Sequence, residues 1–262
     1  MLSIKKKGTL YLGISLISIT ALLAMISLFW MPHSPESMNT AVRFQEPSST
    51  FLLGTDQFGR DILSRLMFSA RSALFIGIIS VTVGSIIGIL IGSLAAFAGS
   101  KVQQLLMRMV DAMMAFPGIL LALMLVTILG EGQFNALIAI AIFMIPTYAR
   151  LTFSLALDER NKIYIKAAKT YGVPFHRILI KHVFPVILPQ LVTTYTSSIG
   201  GAILLESSLS FLGVGVQPPS SSWGLMLSES RQFMLTYPYL SFPPGILLIL
   251  TVLGFNLIGD AL

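Results

Sequence analysis

A chain of 262 residues that is 55% hydrophobic and only 11% charged is not an ordinary soluble domain, because globular chains carry about 25% charged residues. A mean hydropathy of +0.84 assigns most of the length to lipid, and the absence of cysteine removes disulfide frameworks, thiol nucleophiles and cysteine-ligated zinc together. A net charge of +6 and a pI near 9.7 do not point to nucleic acid, since the cations stand between long apolar runs instead of sharing a solvated face with aromatics.

Six charge-free apolar intervals, 8–35, 72–100, 112–130, 132–149, 182–205 and 232–259, can each hold a spanning helix. A crossing needs about 20 residues, so the fourth is expected to run past Arg150 into Leu151–Leu157. The first follows Lys5-Lys6-Lys7 and has an apolar core from Leu10 to Trp30, longer than the about 7–15 residues of a secretory signal, and is read as an uncleaved helix. With the N-terminus inside, the inner loops hold twelve cations and the outer loops five, namely Arg43, Arg60, Arg65, Arg71 and Arg231. This excess places both termini in the cytosol.

The expected division is a cytosolic N-terminus over 1–9, a first transmembrane helix over 10–30 and an extracytoplasmic loop over 31–71. A core of five further helices follows over 72–262, with a cytosolic elbow at about 158–183 and an extracytoplasmic loop at about 207–240.

In the first loop, Gly54–Arg65 brings two carboxylates and two arginines together but lacks the ligand order of a calcium loop. The spacing predicts a structured turn in which Thr55 or Asp56 caps the next helix. Docking of an extracytoplasmic partner through Asp56, Arg60, Asp61 and Arg65 is the functional alternative. In the second span, Gly84, Gly88, Gly92 and Ala96 recur every four residues, a small stripe that lets backbones approach within this subunit or against a second one. Asp111 stands three residues after Arg108 and is expected to pair with it.

The stretch from Asp158 to Pro174 has helical logic: Tyr164, Ala167, Ala168 and Tyr171 share one side, and Lys162, Lys166 and Lys169 the other. Gly172 suits the position past its end, and Pro174 the first turn of a second helix carrying His176, Arg177, Lys181 and His182. Composition alone leaves two readings, an interfacial helix on anionic lipid or a docking element for a cytosolic partner.

At the outer end of the fifth span, Glu206 beside Ser207 and Ser208 is the leading candidate for lining a pathway, with Phe211, Gly213 and Trp223 in the following loop. The other reading is a buried carboxylate bonded to hydroxyls or holding the Gly213–Gly215 loop. The three histidines have no metal-site spacing, and the sequence contains no phosphate-binding Gly-Lys.

Lys166-Ala167-Ala168, Gly172, Ile178 and Leu188-Pro189 resemble the EAA loop of bacterial ABC importer permeases, with Lys166 at the position of its Glu. Leu53–Arg65, Leu209–Gly215 with Pro218-Pro219 and Ser222-Trp223-Gly224, and Phe255–Leu262 are similar to segments of the C-type permeases of dipeptide, oligopeptide and nickel importers. The resemblance implies an all-α membrane protein of six transmembrane helices with type I importer architecture, in the bacterial inner membrane. It also implies a homologous B-type permease subunit, an extracytoplasmic substrate-binding protein, and two ATPases that hold the ATP and magnesium, this chain binding no cofactor. The ATPases would dock on Tyr164, Lys166, Ala167, Ala168, Gly172, Pro174 and Arg177. Short peptides are the expected cargo, with nickel or another transition metal, free or chelated, as the alternative; Arg231-Gln232-Phe233 is slightly similar to the nickel members. A non-transporting membrane scaffold is the rival from another class.

Overall fold

The computed structural model describes residues 2–262, with side chains from Lys7 onward, so Lys5 and Lys6 of the inner cation set lie outside the described side chains. Among the described residues ten α-helices follow in order: α1 (Leu2–Phe29), α2 (Ile62–Phe97), α3 (Ser100–Met114), α4 (Gly118–Leu129), α5 (Gln133–Arg160), α6 (Ile163–Thr170), α7 (Phe175–Ile178), α8 (Phe184–Phe211), α9 (Trp223–Ser230) and α10 (Phe242–Ala261). No strand is present among the described residues, only an isolated bridge between Thr55 and Asp61.

Among the described residues, five helical segments are long and apolar enough to cross a membrane, and a sixth crossing results if α3 and α4, bent by 92° at Ala115–Pro117, are counted as one. Pro117 supplies the break, because proline cannot continue a helix through its own amide. α2 begins at Ile62, ten residues before the expected boundary, because Asp61 caps it and Arg65 in its first turn is neutralised by Asp56 and Glu229. α5 runs past Arg150 as expected and on to Arg160, whose guanidinium donates to the Ala96 carbonyl at 2.6 Å and ties the ends of α5 and α2 together.

The core is the seam between α2 and α5. A Cβ on Gly88 would stand 2.6 Å from the Ile145 carbonyl, and one on Gly84 2.7 Å from the Met144 Cβ; Gly92 meets the Ala149 carbonyl in the same way. The stripe therefore packs inside this subunit. Lipid gives no hydrophobic push between helices, so close backbone approach supplies the dispersion contacts. α1 joins α10 by the same device, Gly13 against Gly254, with a hydrogen bond of 2.6 Å between the buried Thr20 and Thr251 hydroxyls.

Candidate functional sites: the elbow and the outer latch

α6 and α7 form the elbow. Ile165 is fully buried and anchors α6 in a cluster with Ala96, Ala156, Ile178 and Val183. The helix ends in a Schellman turn: Gly172 takes φ of +74°, its amide donates to Lys169 and the Val173 amide to Ala168. Pro174 is the cap preceding α7, one position earlier than expected, and the Arg177 and Ile178 amides donate to its carbonyl.

Ile165 divides the expected docking side in two. Ala168 packs against the buried cluster, so it is not part of a free surface shared with Ala167. Ala167 is exposed, as are Lys166, Arg177, Tyr164 at 46% and Tyr171 at 87%. The Tyr164 hydroxyl donates to the Glu159 carboxylate, which together with that neighbouring charge pushes the phenol up to about 12. Lys169 places its ammonium 5.1 Å from the Phe97 ring centre, and partial burial there lowers its pKa. The elbow thus offers a small apolar surface, rimmed by cations, on a firmly seated base.

After α7 the chain makes one π-helical turn over Leu179–Val183 before α8. Pro185 falls in the first turn of α8 and Pro189 inside it. The entry into α8 is distorted at this point into that π turn.

At the other end of the molecule, Asp61 caps α2, accepting from the Ser64 amide at 3.0 Å and the Ser64 hydroxyl at 2.6 Å. The cap is therefore neither Thr55 nor Asp56. Thr55 instead pins the loop, accepting from the Gln45 amide at 2.9 Å and donating to the Val42 carbonyl. One Asp56 oxygen accepts the Phe58 and Arg60 amides. The other accepts Arg60 Nε and Arg65 Nη1, both at 2.6 Å. Glu229 of α9 closes the cluster, at 2.7 Å from Arg60 and 2.8 Å from Arg65. Asp56, Arg60, Asp61 and Arg65 are each 1–4% exposed, so these four side chains are not a docking surface. The charges of Asp56, Arg60 and Arg65 are used internally, as a latch between the loop and α9. Glu229 is the member that sequence reasoning missed, because its partners lie about 170 residues away in the chain.

Glu206 likewise faces inward and is fully buried, which departs from the pathway-lining expectation. It accepts from Ser210 at 2.7 Å and from Ser207 at 3.3 Å, and it also bonds Ser222. Ser222 is the N-cap of α9, accepting from the Leu225 amide, and Ser210 accepts from the Val216 amide. Ser207 and Trp223 are buried in the same junction, and Gly224 carries no Cβ because the Ser207 carbonyl occupies that space. Gly213, at φ of +85°, ends α8 in a second Schellman turn. Of the outer candidates, Phe211 and Gly213 remain exposed; Phe211, Ser208 and Leu212 line an apolar crevice of about 320 Å³. Asp111 pairs with Arg150 of α5, not with Arg108.

Residues 88–262, which include the broken span, the elbow and the Glu206 junction, match the family of binding-protein-dependent transport system inner membrane components. The chain belongs to that family. It is 40% identical to the dipeptide transport system permease protein of Alkalihalophilus pseudofirmus, over 99% of this chain and 85% of the relative. It is 41% identical to the glutathione transport system permease protein of Pectobacterium atrosepticum, over 92% of this chain and 82% of the relative. With the nickel transport system permease protein of Escherichia coli K12 the identity is 35%, over 99% and 94%. A chain of the methionine ABC transporter solved in inward-facing conformations superposes with a TM-score of 0.64 at 20% identity, covering 75% of this chain and 93% of that one, which establishes the shared fold. The protein is accordingly a multi-pass inner-membrane permease subunit of an ABC importer, a transporter component and not an enzyme.

Proposed function

We propose that this permease forms half of a translocation pathway for short peptides, a homologous permease supplying the other half. An extracytoplasmic binding protein delivers the cargo, and two ATPases carrying ATP and magnesium dock on Tyr164, Ala167, Tyr171 and the flanking Lys166 and Arg177. Both termini lie in the cytosol, on the side of the cation excess. The observation that carries this reading is the elbow, a small exposed surface on a buried Ile165 anchor, where a push is transmitted to α8 and not absorbed by a flexible loop. ATP binding draws the elbows of the two subunits together and turns the pathway outward, and hydrolysis resets it. This cycle requires that nucleotide and cargo bind the two states with different affinity.

Peptide is placed first because relatives at 40% and 41% identity are named for dipeptide and glutathione, against 35% for nickel. Calorimetry on the cognate binding protein, with short peptides against nickel and nickel chelates, tests the cargo. Peptide binding at micromolar affinity or tighter is expected; binding that requires the metal overturns the peptide assignment.

A further inference from the structure

α3 divides its circumference three ways. Met107 and Val110 are buried with Ala95 and Ala149, and Gln103 turns to the same side. At about 100° per residue, Val102, Leu105 and Met109 form a second stripe, each 52–62% exposed. Ser100, Gln104, Arg108 and Asp111 form a third, polar and exposed along its whole length. α5 carries a matching row, in which Thr147, Arg150, Ser154 and Asp158 share one side and are all exposed.

The two polar rows are joined by the ion pair of Asp111 and Arg150, whose side chains are 50% and 46% exposed. Arg150 stands about 15 Å along α5 from the elbow end of that helix, at the rise of an α-helix. A half-exposed ion pair at that depth is costly against hydrocarbon, and intramembrane charges face water-filled cavities or the bundle interior. α3 already has a separate apolar stripe to turn toward lipid or another subunit, which leaves its polar row for water.

We infer that the polar rows of α3 and α5 form a water-facing wall of the translocation pathway on the elbow side of the membrane, suited to a hydrated polar solute. The Asp111–Arg150 pair is its charged rung, able to present a carboxylate to an ammonium group and a guanidinium to a carboxylate. This deepens the permease reading and rests on it.

The chain has no cysteine, so single cysteines report on this surface directly. Gln104→Cys and Ser154→Cys, with Leu105→Cys and Met109→Cys for comparison, are placed in the assembled transporter in vesicles that expose the elbow side. Each is then treated with a sulfonated, membrane-impermeant maleimide. Positions 104 and 154 are expected to label at least about tenfold faster, because a thiol in apolar surroundings is held protonated and only the thiolate reacts. Similar rates at all four positions, fast or slow, overturn the inference. Ser154→Cys changes one atom, so an assembly defect does not mask the result. Labelling is also independent of cargo: an importer of something other than peptide still passes, and a peptide importer with unreactive 104 and 154 thiols fails.

Discussion

α6 and α8 stop in the same way, each with a glycine in the left-handed region and the paired amide bonds of a Schellman turn, yet what surrounds the two stops is opposite. Around its stop at Thr170 the elbow leaves Tyr164, Ala167 and Tyr171 uncovered. Beyond Phe211 the chain folds back on itself, and Glu206, Ser207, Ser210 and Ser222 bond among themselves with Trp223 buried beside them. The Asp56–Arg60–Arg65–Glu229 latch repeats that inward habit nearby. One end leaves its surface open, and the other uses its polar chemistry to fix its own shape. A substitution at the latch is therefore expected to act on stability, and one at the elbow on coupling.

The largest effect is expected from Asp56→Ala. It leaves two buried guanidiniums short of a carboxylate, and breaking a buried pair from one side costs about 3–5 kcal/mol. Thermal melting of the purified complex reads the loss; an unchanged midpoint would show that the latch is not structural. Next comes Gly88→Leu in the α2–α5 seam, where the added side chain meets the Ile145 carbonyl and overpacking costs about 1–3 kcal/mol. Glu206→Leu belongs in the same range, about 1–3 kcal/mol, because it leaves the buried hydroxyls of Ser210 and Ser222 without their acceptor. Glu206→Gln, which still accepts, is expected to recover most of that stability on the same melting curve. A Gln variant as damaged as the Leu variant would mean that the charge, not the acceptor, is needed.

The smallest effect is at the elbow. Tyr164→Phe removes an exposed bond to Glu159 and is expected to shift melting by less than about 1 kcal/mol. Its pH signature follows from the raised phenol. The folded form favours the neutral hydroxyl, so this contribution is intact below the ordinary value of 10.0 and is lost as pH rises towards about 12. A Tyr164-dependent change in elbow stability between pH 6 and 9 would contradict that assignment.

The sequence made the family, the elbow and most of the spans legible because each rests on local pattern, apolar runs and Ala167-Ala168 followed by Gly172, but the third interval, 112–130, holds the break at Ala115–Pro117 and only the 12-residue α4. It did not separate Ala167 from Ala168, since the 3.6-residue period places both near one side. Only the position of Ile165 against Ala96 and Ala156 decides which of them is covered. The outer end was hardest to read for the same reason. Charges there are paired across about 170 residues, so Asp56 and Arg60 were legible as a motif, but Glu229, their third-dimension partner, was not. Asp111 shows the same limit, because a sequence neighbour at the right helical spacing lost to Arg150 on another helix.

The central claim, that the exposed elbow surface transmits the ATPase stroke, is tested most directly by Ala167→Asp in the reconstituted transporter. The measurement is the number of ATP molecules hydrolysed per cargo molecule imported, with insertion and melting followed alongside. The account predicts normal insertion, a melting shift within about 0.5 kcal/mol for an exposed site, and hydrolysis that continues with little import. Wild-type stoichiometry at normal expression would contradict it.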